Sequence, residues 1–212
     1  MRFEIMNKTI LKVLTFAAGL AGLASCETYK VDAPETTAVS EFDGRWVCFA
    51  YPKASPAEPE TVFMIDIFNT TNNDSDKFWI KVIDCLPYYG AYNLDCIQFL
   101  ASCDGKALTF QADGVDAEQP KACYNLYLEQ GYITAGYAGA IPATGYKASI
   151  DGKIIKNSVE TAAGTKVDGI EFSYKRVNPD GKVYEYTVKG MKNTGWAEDL
   201  QEYVDFLENA LS

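Results

Sequence analysis

Apolar and polar residues alternate with a period of two along most of the chain. Residues 168–177 place Ile170, Phe172 and Tyr174 on one face and charged or polar side chains on the other, which is the pattern of a half-buried β-strand. Residues 61–69 are apolar on both faces and predict a central, well-covered strand. Applied along the chain, these criteria predict strands at 45–51, 61–69, 77–84, 94–101, 106–111, 122–128, 132–137, 148–156, 168–177 and 182–190.

Turn-forming residues separate the predicted strands. Residues 52–60 hold three prolines, which predicts a loop. Residues 178–181 read NPDG, a strong turn signal that joins the last two strands into a hairpin. Gly152 lies in the middle of its predicted strand, which predicts a bulge or a bend at that position.

The pattern changes to a helical period near the end of the chain. Apolar residues spaced as one helical stripe are Leu200, Tyr203, Val204, Leu207 and Leu211. The stripe predicts a helix over 196–211 that packs on the sheet. Thr194 is placed to cap this helix, with Glu198 and Asp199 near its positive N-terminal end. A helix lying on a membrane is disfavoured, because its polar face carries acidic residues instead of Lys and Arg.

Many short strands followed by one helix predict a mainly β fold. A long antiparallel meander avoids exposed sheet edges when it closes into a barrel. We therefore predict one domain over 42–212, an antiparallel meander that closes into a β-barrel of about eight strands with a C-terminal helix. A barrel of eight strands has an interior able to hold one small ligand.

The N-terminal residues have the features of an export signal. Arg2, Lys8 and Lys12 precede a short apolar run at 13–21. That run is too short to span a bilayer, which needs roughly 20 apolar residues. A basic head, a short apolar core and small residues together predict a secretion signal that is removed.

The residues Leu-Ala-Ser-Cys at 23–26 resemble the lipobox of bacterial lipoproteins. The resemblance implies removal of residues 1–25 and lipidation of Cys26, and the alternative is an ordinary signal peptide. The polar segment 26–41 then reads as a flexible tether. We expect an outer-membrane location, lipid-anchored on the periplasmic or cell-surface face, with the membrane as a partner through the anchor.

The amino-acid composition excludes several classes of function. The chain has no histidine, which excludes Ser-His-Asp and Cys-His catalysis in their usual forms and zinc sites that contain His. A net charge of −10 argues against binding of nucleic acid. We predict no cofactor and no metal site, and we lean against an enzyme.

Five cysteines follow residue 26: Cys48, Cys85, Cys96, Cys103 and Cys123. Pairs are able to form outside the cytoplasm, and an odd count leaves at least one thiol free. Spacing alone leaves the connectivity open.

Several segments together resemble a known family. They are EFDGRWV at 41–47, DGKIIKN at 151–157, GTKVDGIEFSY at 164–174 and YEYTVKGMKNTGWAED at 184–199. In this order they resemble Bacteroidetes lipoproteins grouped as a "lipid-binding putative hydrolase" family. The resemblance implies a lipocalin-like (calycin-type) β-barrel with an apolar ligand, and it carries no catalytic motif onto this chain.

The leading hypothesis is an anchored, non-catalytic barrel that binds an apolar or amphipathic small molecule, lipid-like in character. The residues predicted to face the interior and bind it are Phe63, Ile65, Ile67, Phe78, Ile80, Ile170, Phe172, Tyr184 and Tyr186. If no cavity exists, the same side chains fill the barrel.

Two other hypotheses stay open. One is a surface protein with a filled core that captures glycans or assembles with proteins through the tyrosine-rich segment 85–137, which includes Tyr88, Tyr89 and Tyr92. The other is a carboxylate-based hydrolase. Asp66, inside an apolar strand, is a candidate acid, although an ion pair with Lys or Arg, or an orientation toward solvent, is the favoured interpretation. The oligomeric state is left open.

Replacing Cys26 with Ser tests the predicted anchor. Because lipidation needs the cysteine thiol, we expect Cys26→Ser to abolish the lipid mass increment and to move the protein out of the membrane fraction. After expression in a Gram-negative host, intact-mass spectrometry measures the lipid increment and membrane fractionation measures the location, with Ser25→Ala as the control. Unchanged membrane association of Cys26→Ser would contradict the lipobox prediction.

Overall fold

Eight antiparallel strands, joined in sequence order, close into one barrel. The computed structural model describes residues 36–85, 96–120 and 144–211. The strands are β1 (Gly44–Pro52), β2 (Thr61–Asn69), β3 (Lys77–Asp84), β4 (Cys96–Asp104), β5 (Thr109–Ala117), β6 (Tyr146–Glu160), β7 (Lys166–Val177) and β8 (Val183–Lys192). A 3-10 turn at Glu198–Leu200 leads into helix α1 (Gln201–Leu211). The predicted mainly β fold, an antiparallel barrel of about eight strands with a C-terminal helix, is confirmed.

Most predicted strands are present with small shifts at their ends. β2 and β3 have the predicted bounds, and the remaining described strands overlap their predicted segments. Two further predicted strands, 122–128 and 132–137, lie outside the described residues. The apolar stripe predicts a helix from residue 196, whereas the 3-10 turn begins at Glu198.

Strand β5 differs most from its prediction. The predicted segment is 106–111, and the observed strand starts later because a turn precedes it. In that turn the backbone amides of Lys106 and Ala107 donate to Oδ1 of Asp104, at 2.9 and 3.1 Å. The strand then continues through a register shift between Ala112 and Val115, where the intervening Asp-Gly resembles a turn in sequence.

The two ends of the barrel differ. We call the end where β1 begins and β8 ends the closed end. Phe42 lies there, 1% exposed, with its ring centroid 5.3 Å from that of Phe78 and 6.3 Å from that of Phe110. The indole N–H of Trp46 donates to the carbonyl of Phe42 at 3.0 Å, and Nζ of Lys192 lies 5.5 Å from the Trp46 ring. The segment that enters β1 therefore plugs this end with aromatic side chains.

The opposite end is the mouth. There residues 53–60 join β1 to β2, and residues 178–182 join β7 to β8. The predicted loop at 52–60 and the predicted hairpin of β7 with β8 are both present.

Helix α1 packs on the outer face of β1. The ring centroid of Tyr203 lies 4.5 Å from that of Phe49 in a stacked arrangement, and Phe206 meets the same ring edge-on at 5.6 Å. Packing of the helix on the sheet is thus confirmed. Val204, which the stripe includes, is 41% exposed, and Phe206 contacts the sheet in its place.

The predicted Thr194 cap is wrong. The Thr194 hydroxyl donates to the carboxylate of Asp199 at 2.8 Å and accepts the backbone N–H of Trp196 at 3.2 Å, and Trp196 lies before the 3-10 turn that begins at Glu198. Ala197 precedes the 3-10 turn without a side-chain cap. Asp199 also accepts the N–H of Ala163 at 3.0 Å, which ties the β6–β7 turn to the start of the helix.

Across the described residues, no helix has the length and apolar character needed to cross a bilayer.

One disulfide involves the described cysteines. Cys96 is disulfide-bonded, while Cys48, Cys85 and Cys103 carry free thiols. These three agree with the prediction that at least one thiol is free.

Gly152 does not mark a bulge, which was one of the two alternatives predicted for it. It pairs regularly with Phe110 on β5 and Phe172 on β7, and the register shift of β6 lies further along, between Ile155 and Val159. The glycine instead makes room for rings: a Cβ at 152 would lie 2.7 Å from Cζ of Phe110 and would overlap Cβ of Phe172.

Substitution of Gly152 tests this packing. Because a methyl group there overlaps two aromatic side chains, we expect Gly152→Ala to lower the free energy of unfolding by about 1–3 kcal/mol. Gly105→Ala is the matched control, since nothing lies within 4 Å of its Cβ position, and it should change stability by less than about 0.5 kcal/mol. Urea denaturation measures both variants, and equal stabilities would refute the packing role.

Candidate functional site

The residues predicted to bind a ligand all belong to the packed barrel core or its margin. Eight of the nine are buried, and Tyr184 is half-buried. The buried set is Phe63, Ile65, Ile67, Phe78, Ile80, Ile170, Phe172 and Tyr186. The structure brings these side chains together and packs them against one another, and their role in ligand binding stays a prediction.

The closed half of the interior is apolar throughout. Ile65, Ile80 and Ile170 are each 0% exposed. The Phe110 ring joins this layer, with its centroid 5.9 Å from that of Phe78 and 6.0 Å from that of Phe172.

Aromatic side chains fill the half of the interior nearer the mouth, and some of them end in hydroxyl groups. The Phe63 ring meets Tyr186 edge-on at 5.3 Å and Tyr174 edge-on at 5.8 Å. Phe99 stacks with Tyr174 at 6.5 Å. The Tyr186 hydroxyl donates to Oε1 of Glu60 at 3.4 Å. Phenol groups therefore begin the transition from the apolar interior to the polar mouth.

Polar and charged side chains line the mouth itself. Thr61 is 3% exposed, and its hydroxyl donates to the carboxylate of Asp84 in a short hydrogen bond. Across the barrel, Arg176 is 4% exposed, with its guanidinium carbon 4.3 Å from the centroid of the Tyr184 ring. The interior is thus layered, from an apolar closed half to a charged mouth.

Arg176 was not among the predicted site residues. It follows Ile170, Phe172 and Tyr174 at intervals of two along β7, so the alternation already places it on the interior face. A charged residue at the end of an apolar face was the signal that could have identified it.

A cleft of about 450 Å³ opens at the mouth. It contacts two of the predicted residues, Tyr184 and Tyr186, and its remaining lining residues are Pro52, Lys53, Ala54, Glu60, Val183 and Glu185. Apolar surface and both signs of charge therefore meet in one place, which suits an amphipathic molecule.

A larger groove of about 680 Å³ runs over the barrel face formed by β4 to β8. Its polar lining residues include Ser102, Gln111, Asp151, Ser173 and Thr187, which register in one row across adjacent strands. The groove is also lined by apolar and aromatic side chains, namely Leu100, Ala112, Val115, Ile150, Tyr174 and Tyr186. We regard the mouth as the better ligand site despite its smaller volume, because polar and charged groups collect there at the end of an apolar interior.

Asp66 lies on the outer face in an ion-pair network. Its carboxylate accepts hydrogen bonds from Arg45 and Lys81, each at 2.7 Å. Partial burial acts to raise the pKa of Asp66, but the bonds from Arg45 and Lys81 outweigh it and leave the pKa below its usual range. The favoured ion-pair interpretation is confirmed, and this carboxyl lacks the raised pKa of a general acid.

The described thiols are poor nucleophiles at neutral pH. Burial raises the pKa of Cys85 to about 12 and that of Cys103 to about 11. Burial also raises the pKa of Cys48 far above its ordinary value. A thiol reacts as the thiolate, so all three stay unreactive. Within the described ranges, no cluster of three metal-binding side chains occurs.

The segments that carry the family resemblance meet at the closed end. Nζ of Lys156 lies 2.9 Å from the carboxylate of Asp168 and 2.5 Å from that of Glu41. The backbone N–H of Asn157 donates to Asp168 at 3.0 Å. These contacts join three of the resembling segments in one network, which braces the scaffold and lies away from the mouth.

The tyrosines of the alternative contact face, Tyr88, Tyr89 and Tyr92, lie outside the described residues. The alternative that depends on them stays a prediction.

Comparison with known proteins adds one family match. A family model described as "lipid-binding putative hydrolase" matches residues 31–197. No curated protein matches the chain. Among solved structures, the chain is similar to a structural-genomics protein of unknown function from Bacteroides ovatus, with 10% sequence identity and a TM-score of 0.35. That match covers 71% of this chain and 40% of the other, so the chain spans less than half of that protein's length.

The Asp66 network predicts a pH-dependent contribution to stability. A carboxyl whose pKa is lower in the folded state stabilises the fold above its unfolded pKa of about 3.9, and the stabilisation is lost as the pH falls through the folded pKa. We expect Asp66→Asn to lower the free energy of unfolding by about 1 kcal/mol at pH 7. The difference from the parent protein should shrink below about pH 4.

Asp116→Asn is the matched control. Asp116 pairs with Lys147 at the same 2.7 Å distance, but its side chain is 90% exposed, so it should contribute little. Thermal unfolding over pH 3–7 measures the three proteins. If Asp66→Asn and Asp116→Asn behave alike at every pH, the outer-face network has no special role.

Proposed function

The chain belongs to the "lipid-binding putative hydrolase" family, and we propose from this premise that it is a lipid-anchored extracytoplasmic protein that binds a lipid-like amphipathic molecule at the mouth of its barrel. The observation that carries the proposal is the layered interior. Apolar side chains fill the closed half, and phenol, hydroxyl and charged groups collect at the mouth. An amphipathic molecule has the same polarity gradient along its length.

The tail would lie among the rings nearest the mouth. Phe63, Tyr174 and Tyr186 pack edge-on at 5.3–5.8 Å, so an entering tail must part them. Each buried methylene contributes about 0.8 kcal/mol, and association itself costs roughly 4–15 kcal/mol. A short acyl tail alone therefore gives weak binding, and contacts to the polar end of the ligand are needed as well.

The proposed site of membrane attachment is Cys26. A lipidated Cys26 would hold the protein at the outer membrane, on its periplasmic or cell-surface face, and would place the barrel close to a supply of lipid. This part is supported by the lipobox residues at 23–26 and by the resemblance to bacterial lipoproteins.

The proposal does not include hydrolysis. The chain has no histidine, and the three free thiols are held in the protonated form by burial. Asp66, the candidate acid, is engaged in ion pairs on the outer face.

The packed core favours a second candidate function. With its rings in mutual contact the barrel resembles a solid scaffold, and the row of polar side chains in the groove over β4 to β8 offers hydrogen-bonding groups to a partner. A non-catalytic surface protein for glycan capture or protein assembly fits these two observations.

Native mass spectrometry of the protein purified without detergent separates the two candidates. A stoichiometric adduct that is released on denaturation and identified as a lipid supports the first. A bare polypeptide mass, with no uptake from a panel of fatty acids and phospholipids, rejects lipid binding and directs attention to glycan arrays.

Substitution of two phenylalanines on β2 tests where the ligand's tail binds. Phe63 is 3% exposed inside the barrel, and Phe68 is 36% exposed outside it. Because an aromatic contact contributes about 0.5–1.5 kcal/mol, Phe63→Leu should raise the Kd for a fluorescent fatty acid roughly three- to tenfold. Phe68→Leu, the same change on the outer face, should leave the Kd unchanged. A fatty acid that binds Phe63→Leu as tightly as the parent protein does not lie in the barrel.

A further inference from the structure

The closed end of the barrel carries exposed aromatic side chains on its outer surface. Trp196, just past the end of β8, is 64% exposed, although tryptophan is highly buried on average. Phe68, near the end of β2, is 36% exposed, and it pairs in register with the half-buried Trp79 of β3. Exposed apolar surface shared between neighbouring elements marks sites of contact with proteins or membranes.

A shallow depression brings these aromatic residues together. Phe68 and Gly195, the residue before Trp196, both line it. The backbone N–H of Asn193 donates to the carbonyl of Arg45 at 2.9 Å, which fixes the segment that carries Trp196 against the start of β1. The exposed rings therefore belong to neighbouring parts of one surface.

The charged groups around this depression are paired with one another. Arg45 and Asp66 both line it, with Nε of Arg45 2.7 Å from the carboxylate of Asp66. Nζ of Lys81 lies 2.7 Å from the same carboxylate, and Glu41, ahead of β1, is paired with Lys156. Charge attraction therefore contributes little to a contact made here. The exposed groups that remain are aromatic, and tryptophan is enriched where a membrane meets water.

The chain enters the barrel at this same end. The backbone N–H of Ala38 donates to Oδ1 of Asn73 at 2.8 Å, in the turn that joins β2 to β3 beside Phe68 and Trp79. The proposed lipidated residue, Cys26, precedes Ala38 by twelve residues. A flexible chain of that length has an end-to-end distance of roughly 20 Å. A barrel of ten-residue strands such as β8 is roughly 25 Å high. A bilayer that holds the anchor would therefore lie nearer to the closed end than to the mouth.

We propose that the closed end of the barrel rests on the bilayer that holds the anchor, with the rings of Trp196, Phe68 and Trp79 in its interfacial region. The mouth then opens away from that bilayer, so the ligand reaches it through water and not directly out of the bilayer. This inference rests on the proposed lipid anchor at Cys26. It adds the surface that contacts the membrane and the side from which the ligand enters.

Quenching of tryptophan emission by brominated phospholipids tests this orientation, because bromine on an acyl chain quenches only rings that reach the bilayer. The full-length lipidated protein is reconstituted into vesicles of phosphatidylethanolamine and phosphatidylglycerol, with and without bromine on the upper part of the acyl chains. The parent protein should be quenched, and Trp196→Phe should lose at least about half of the quenching, since Trp196 is the most exposed ring at the interface. Trp46 is 0% exposed and should not contribute.

A tryptophan at the mouth is the matched control. Val183 lines the mouth cleft and is 49% exposed. Val183→Trp combined with Trp196→Phe keeps the number of tryptophans and moves one of them to the opposite end of the barrel. This double variant should regain emission without regaining quenching. Circular dichroism checks that both variants are folded.

Each other outcome overturns the inference. Quenching that returns in the double variant shows that the mouth faces the bilayer. No quenching of the parent protein, or equal quenching of the parent and Trp196→Phe, removes Trp196 from the membrane contact and leaves the anchor in place. A blue shift of Trp196 emission without quenching shows that a second copy of the chain covers the ring. Absence of lipid on Cys26 in the intact mass contradicts the anchor and this inference together, while ligand binding is judged separately by native mass spectrometry.

Discussion

Pairing of the first strand with the last is the constraint on which the rest of the structure depends. Seven residue pairs, from Trp46 with Lys192 to Pro52 with Tyr186, close the barrel. Gly190 permits the close approach, because a Cβ there would lie 2.5 Å from Sγ of Cys48 and would overlap the carbonyl oxygen of Val47. Closure turns eight separate apolar faces into one interior that water does not reach, and this interior supplies the main stabilising free energy.

The two ends of that interior carry different side chains. The closed end is held by aromatic packing around Phe42 and by the network of Lys156, Asp168 and Glu41. The mouth carries Arg176, Tyr184 and the long connections. Three of the segments that mark the family meet in that network at the closed end. The fourth, 184–199, begins in the mouth cleft with Tyr184 and Tyr186, so the family segments reach both ends of the barrel.

The proposed binding of an amphiphile rests on how this barrel distributes polarity. A uniformly apolar interior would bury a ligand without orienting it, whereas a charged mouth above an apolar floor fixes which end of an amphiphile faces out. The rings of Phe63 and Tyr186 lie between the two regions, in contact at 5.3 Å. Ligand entry and core packing therefore compete for the same side chains, and binding affinity and fold stability should be linked.

The sequence by itself determined the strands, the closed barrel and the interior faces, because a period of two in hydrophobicity reports directly which side of a strand is buried. It therefore placed Ile65, Phe172 and the other predicted residues on the interior face, where the same alternation also puts Arg176, and it favoured an ion pair for Asp66. Only the tertiary structure decided that Gly152 accommodates the ring of Phe110, that Thr194 bonds Asp199, and that Arg176 lies beside Tyr184. Each of these depends on which side chains meet in three dimensions, and a period in hydrophobicity reports only which side of an element is buried.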